Sequence, residues 1–154
     1  TWTMWWWAIV VPLRLFLYCW SWNLSLCEPG RVRTVSLLLA AVVDDDDSLC
    51  RSIGRLLRAA GIQPVTYSSA EALLADEKRP RFDCLVLDVH LGGMSGIELG
   101  RRLVAEGIHA PFIFITAFDD AHTRAEAEAS GCAAYFRKAD AGSEVLDAIR
   151  RLAS

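Results

Sequence analysis

No C-x-x-C pair occurs anywhere in this sequence, although it holds five cysteines. Cys19, Cys27, Cys50, Cys84 and Cys132 are odd in number and lie in or beside apolar runs, which indicates neither a disulfide framework nor a zinc site. They read as buried thiols of a protein kept in a reducing cytoplasm. Histidine is sparse, and His90, His109 and His122 lack metal-ligand spacing, so spacing alone gives them no chemistry. Excess positive charge is missing from the body of the chain. Arg14, Arg31 and Arg33 against Glu28 make the first 33 residues +2, which leaves −5 on the remainder of a chain whose total is −3. A net-acidic domain argues against nucleic-acid binding by the domain itself. Nor do 154 residues leave room for a second full domain.

From Thr1 to Cys27, charge of either sign is nearly absent. Arg14 stands alone there, and all six Trp of the chain lie between Trp2 and Trp22. Trp2 to Leu26 is long enough for a membrane helix, which needs about 20 apolar residues, and its Trp and Tyr suit the interfaces. Pro12 and Arg14 in its middle oppose that reading. A secretory signal fits worse, because no basic region precedes the apolar run. Thr1 in place of an initiator Met fits a fragment or a mis-set start. The breaker Glu28-Pro29-Gly30 sets the boundary: residues 1–33 form a leader, either a membrane segment or a non-native extension, and residues 34–154 form the domain.

Within the domain, Val35 to Val43 is a continuous apolar run that stops at four aspartates, as a strand buried on both faces would. Leu49, Ile53, Leu56, Leu57 and Ala60 then recur on one helical face, and Gly61 closes the helix. Pro64 to Tyr67 reads as a short strand, and Ser68-Ser69 can cap a second helix that runs on to Pro80. Three more units follow. Cys84 to Leu87 is a strand ending at Asp88, before a helix from Ile97 to Glu106. Pro111 to Ile115 is a strand ending at Thr116, before a helix from Asp119 to Ser130 closed by Gly131. Ala133 to Phe136 is a strand ending near Lys138, and Val145, Ala148, Ile149 and Leu152 stripe the last helix. Five strand-then-helix units predict a parallel sheet with helices on both faces, a three-layer α/β fold.

Ligands in open α/β sheets bind beyond the carboxyl ends of the strands. That rule gathers Asp44 and Asp45, Asp88, Thr116 and Lys138 into one crevice. Carboxylates brought together repel, and either take up protons or hold a cation. With oxygen donors and no His or Cys ligand, the set suits Mg²⁺, which binds through one or two carboxylates plus phosphate oxygens and water. Given a phosphoryl donor, Asp88 would be the nucleophile, Mg²⁺ and Lys138 would neutralise charge on the transferring oxygens, and Thr116 would hydrogen-bond one of them. Each residue also has a plain reading. Asp46 and Asp47 complement a helix dipole, and Asp44 and Asp45 could do the same. Asp88 could be a turn residue, Thr116 a cap and Lys138 a solvated side chain. The plain readings together need four coincidences at neighbouring strand ends, which favours the site.

The segments VVDDDD, CLVLDVHLGGMSGIEL, FIFITA and YFRKA resemble the receiver domain of two-component response regulators, most of all receivers of two-domain transcriptional regulators with a C-terminal helix-turn-helix. The likeness runs from Val35 to Leu152 and includes the spacing: 43 residues from Asp45 to Asp88, 28 on to Thr116, and 50 from Asp88 to Lys138. It implies the flavodoxin-like sheet order 2-1-3-4-5 with five helices. It further implies Asp88 as phosphoacceptor, with Asp45 and Asp88 as side-chain Mg²⁺ ligands, Asp44 acting through water and the His90 backbone carbonyl completing the set. Thr116 and Tyr135 would be the switch pair that reshapes the face of the fourth helix, fifth strand and fifth helix, a face that could also form a homodimer. Tyr135 reads equally as an ordinary core aromatic. His90 and Phe118 fall where the family tunes the lifetime of the phosphoryl group.

Two departures carry expectations. Gly92 replaces a common proline and should loosen the loop after Asp88 without removing a ligand. Ala139 replaces the proline that normally follows the lysine through a cis bond; cis before alanine would cost about 2.5–4 kcal/mol, so a trans bond is expected, displacing Lys138 while its stem still reaches the crevice. The resemblance implies a cytoplasmic switch phosphorylated by a sensor histidine kinase or phosphotransfer protein rather than an enzyme. A Mg²⁺-dependent phosphohydrolase using Asp88 as nucleophile with His90 as acid or base is the alternative from another class, and a degenerate receiver serving only as an interaction module is a third.

Overall fold

The computed structural model describes residues 37–153, so the apolar leader and its membrane reading lie outside the described residues. Strands β1 (Leu39–Val43), β2 (Gln63–Tyr67), β3 (Cys84–Asp88), β4 (Phe112–Thr116) and β5 (Ala134–Arg137) alternate with helices α1 (Asp47–Ala59), α2 (Ala70–Ala75), α3 (Gly96–Ala105), α4 (Ala121–Ala129) and α5 (Ala141–Leu152). The sheet order is β2-β1-β3-β4-β5 and every neighbouring pair is parallel, the flavodoxin-like arrangement expected. Among the described residues no helix is long and apolar enough to cross a membrane.

Why the sheet is covered on both sides is visible in β3 and β4, whose residues are buried throughout. Alternate side chains feed two cores. Ala41, Val43, Leu85, Leu87 and Phe114 pack with Leu73 of α2, Leu99 and Leu103 of α3 and Ala127 of α4. Ala40, Val42, Val86, Ile113 and Ile115 pack with Ile53 and Leu57 of α1 and Val145 and Ile149 of α5. Burying a Leu- or Ile-sized side chain contributes roughly 1.5–3 kcal/mol, so these two layers dominate the stability.

Register then positions the site. Asp88 pairs with Ile115 and Thr116 with Arg137, so the carboxyl ends of β3, β4 and β5 finish nearly level. Helices α1, α3 and α4 each end before a glycine with positive φ, Gly61, Gly107 and Gly131, and these tight exits return the chain to the next strand.

Several boundaries differ from the sequence reading. The first strand begins at Leu39, where pairing with β2 starts at Gln63; Leu37 is exposed. Helix α2 stops at Ala75 rather than near Pro80. Asp76 takes the Tyr67 hydroxyl at 2.9 Å and the Lys78 amide at 3.1 Å, and this side-chain turn replaces the next helical turn. In the last helix Val145, Ala148 and Ile149 are buried as expected, but Leu152 is 40% exposed. Of the cysteines described, Cys50 and Cys84 are buried free thiols and Cys132 is half-buried. Burial first, then neighbouring acidic charge, pushes Cys50 up to about 11.

Candidate functional site

Asp44 follows directly on β1, its amide donating to the Tyr67 carbonyl at 3.1 Å, so it is drawn inside and fully buried. Asp88 closes β3 and is 1% exposed, while Asp45 is exposed. Carboxylate oxygens of Asp44, Asp45 and Asp88 lie within 4.8 Å of one another. Asp46 and Asp47 turn away to serve α1: Asp46 caps it by accepting from the Ser48 and Leu49 amides, and Asp47 lies in the first turn. The plain reading therefore holds for those two; Asp44 also accepts the Asp46 amide, through Oδ1 at 2.8 Å, but faces the other carboxylates.

Lys138 spans the crevice from β5. Its Nζ donates to Asp88 Oδ2 at 2.8 Å and to Asp44 Oδ1 at 3.1 Å. Asp44 Oδ2 is nearer Nζ, at 2.9 Å, an ion-pair contact, and is a buried oxygen that makes no hydrogen bond. The pKa of Asp44 is raised, first by burial and also by the charge of Asp88, against the pull of the Asp46 amide and Lys138. Burial pulls the Lys138 ammonium down, but hydrogen bonds and charge from Asp88 and Asp44 outweigh it, and the net shift is upward. Three clustered carboxylates, an all-oxygen donor set, fit a hard divalent cation.

The Lys138–Ala139 peptide is trans, as expected without proline. Lys138 nonetheless reaches both carboxylates. Its amide donates to the Thr116 carbonyl at 2.7 Å, the Asp140 amide returns to the Arg137 carbonyl at 3.0 Å, and Arg137 Nε meets Asp140 at 2.9 Å. This closed turn fixes the lysine root.

Thr116 ends β4 fully buried. Its hydroxyl donates to the Phe118 carbonyl at 2.9 Å and accepts the Phe118 amide at 3.2 Å, so it is turned toward its own loop. His90 brings Nδ1 to within 3.3 Å of that hydroxyl and sets its ring edge-on to Phe118, 6.4 Å between centroids. The His90 amide donates to Asp88 Oδ1 at 3.2 Å, tying that carboxylate to its own loop. Phe118 itself is 74% exposed. Tyr135 is half-buried against the α3–α4 core, with the Arg124 guanidinium 4.7 Å above its ring. Asp119 holds Arg124 through two contacts of 3.2 and 2.7 Å. The Tyr135 hydroxyl is buried and makes no hydrogen bond. Burial first, then Asp119, raises the phenol above its ordinary pKa, with Thr116 and Arg124 opposing.

Residues 40–150 match the family model of the response regulator receiver domain. The chain belongs to the receiver family. Nodulation protein W of Bradyrhizobium diazoefficiens is 34% identical over 122 residues, covering 79% of this chain and 54% of that protein. Response regulator protein TodT of Pseudomonas putida is 34% identical over 109 residues, covering 71% of this chain and 48% of that protein. The FixJ-N crystal structure superposes with a TM-score of 0.68 at 31% identity, covering 75% of this chain and 92% of that one. The chain thus spans about half the length of the curated relatives it matches. As a receiver domain it serves phosphorelay signal transduction, the leading function read from the sequence.

Sequence reasoning missed three residues around this site. Arg124 covers Tyr135, Glu71 reaches the loop after Asp88, and Gly96 lies against the Asp88 backbone. None had a local signal beyond an ordinary helix-surface charge or a helix-start glycine.

Proposed function

We propose that Asp88 accepts a phosphoryl group from a phosphohistidine on a sensor histidine kinase or phosphotransfer protein. An Asp88 oxygen forms the new P–O bond as the P–N bond of the donor breaks, and the imidazole departs with its electron pair and takes a proton. Lys138, 2.8 Å from Asp88 Oδ2, balances charge on the transferring oxygens. Asp45 and Asp88 would hold Mg²⁺ directly, with Asp44 through water and the His90 carbonyl as a further ligand; the bound ion supplies charge neutralisation on the phosphoryl oxygens. Thr116 leaves Phe118 for a phosphoryl oxygen, and Tyr135 responds with it, altering the α4–β5–α5 face through which an effector or second copy would be engaged. His90 and Phe118, packed over Thr116, tune the lifetime of the phosphoryl group. The chain is on this reading a cytoplasmic acceptor and switch with no turnover of outside substrate, and its domain needs no nucleic acid.

The observation that carries the reading is the convergence of three carboxylates and one ammonium at the carboxyl ends of β1, β3 and β5. Acetyl phosphate with Mg²⁺ is expected to add one phosphoryl group, read by intact mass. Asp88→Asn should gain none; a phosphorylated Asp88→Asn protein would remove Asp88 from the role.

The domain boundary yields a second expectation. A chain starting at Arg31 should fold and accept the phosphoryl group, since all five strands and the two described cores are built from residues 37–153. Loss of the cooperative thermal transition on this truncation would place part of the leader in the fold.

A further inference from the structure

The turn between β3 and α3 must hold the His90 carbonyl, yet Gly92 and Gly93 at its centre are the least constrained residues a chain can use. Proline, which the family resemblance places at Gly92, would have stiffened it. Support comes from another element. Glu71, in the first turn of α2, reaches across so that its Oε1 accepts the Met94 amide at 3.1 Å. The carboxylate is seated over Gly93: a Cβ on that residue would lie 2.7 Å from Oε1 and 3.3 Å from the carboxyl carbon. The root of Glu71 is itself fixed, because Ser69 caps α2 through the Ala72 amide at 3.1 Å. The Met94 amide first of all holds the Glu71 carboxyl below its ordinary pKa, so the acceptor stays charged at neutral pH.

We infer that Glu71 is a positioning residue for the phosphoacceptor site, strapping the Gly92–Met94 turn to α2 and so steadying the His90 carbonyl for cation binding. The inference rests on the reading of Asp45, Asp88 and His90 as cation ligands.

Amide hydrogen exchange by NMR and Mg²⁺ titration on the full chain test it together. Glu71→Ala should speed exchange at the Met94 amide about 5- to 10-fold, leave the amides of β3 unchanged, and weaken Mg²⁺ affinity about 3- to 10-fold. Glu71→Gln keeps the acceptor oxygen and should retain most of both properties. Gly93→Ala should reproduce the loss with Glu71 intact, by pushing the carboxylate off its seat. Adding Gly92→Pro to Glu71→Ala should restore Mg²⁺ affinity. Unchanged Met94 exchange in Glu71→Ala overturns the strap, and faster exchange with unchanged Mg²⁺ affinity overturns its positioning role. Asp45→Ala separates the two readings: if it leaves Mg²⁺ affinity unchanged, the acid cluster is not the cation site and the Glu71 role falls with it, while the Met94 exchange still reports whether the strap exists.

Discussion

Lys138→Met should slow phosphorylation of Asp88 about 10²- to 10³-fold, the usual effect of removing one preorganised charge-stabilising donor. Methionine keeps the length of the stem, so the change isolates the ammonium. In the unmodified protein that ammonium is the only cation hydrogen-bonded to Asp44 or Asp88 among the described residues. Its side chain is 21% exposed, and the pair is therefore largely but not fully withdrawn from water. Breaking a buried pair costs about 3–5 kcal/mol; discounted for that exposure, a loss near 1–3 kcal/mol is expected at neutral pH. Added Mg²⁺ should return part of it, by neutralising the same carboxylates.

The pH dependence has a definite sign. The folded-state pKa of Asp44 is raised above its ordinary 3.8, so its contribution to stability is full below that value and is lost as pH rises through the folded value. Without Lys138 the rise grows, and the gap in melting temperature between Lys138→Met and the unmodified protein should be widest near neutrality and shrink toward pH 4. Lys138 is also raised, from 10.5, so its own contribution persists below that pH and fades as pH climbs through the folded value. A gap that stays constant from pH 4 to 8, by calorimetry, would show that Lys138 acts through packing and not through these carboxylates.

How much of this was readable beforehand follows from which contacts are local. A strand buried on both faces must be apolar at every position, so its end is marked by the first polar residue; that is why Asp44, Asp88 and Thr116 could be placed at strand ends from sequence. Cap chemistry was legible at Ser69, whereas the sequence reading of Asp46 is a dipole complement and its side chain caps the helix. What escaped depends on side chains far apart in sequence. Helix α2 ends early because Tyr67 meets Asp76, and the Lys138 root stays in place after a trans bond because the Thr116 carbonyl holds its amide. The contact of His90 with Thr116, the seat of Arg124 on Tyr135 and the reach of Glu71 to Met94 likewise join separate elements. Propensity and periodicity describe one segment at a time, and give no distance between two of them.

Gly96→Ala should damage the protein, although it adds only a methyl group. Helix propensity argues the opposite, since alanine in place of glycine within a helix contributes about 0.5–1 kcal/mol. Geometry decides against it. Gly96 opens α3 with its amide donating to the Val89 carbonyl at 3.1 Å, which presses the helix end onto the strand. A Cβ there would overlap the Asp88 carbonyl oxygen and lie 2.9 Å from the Asp88 carbonyl carbon and 3.3 Å from the Val89 Cα. All three are backbone atoms, and none can rotate aside as a flexible side chain would. Either α3 lifts or the end of β3 moves, and the second displaces Asp88 itself. Overpacking of this kind costs about 1–3 kcal/mol and sometimes more; against rigid backbone the upper end is expected, a fall of roughly 10–20 °C in melting temperature. Phosphorylation of Asp88 should drop with it. Gly142→Ala is the matched comparison, a glycine within α5 whose Cβ would meet nothing within 4 Å, and it should stabilise by about 0.4–1 kcal/mol. Should Gly96→Ala melt as high as Gly142→Ala, the close approach of α3 to Asp88 does not exist in solution, and Asp88 must be held by the sheet alone.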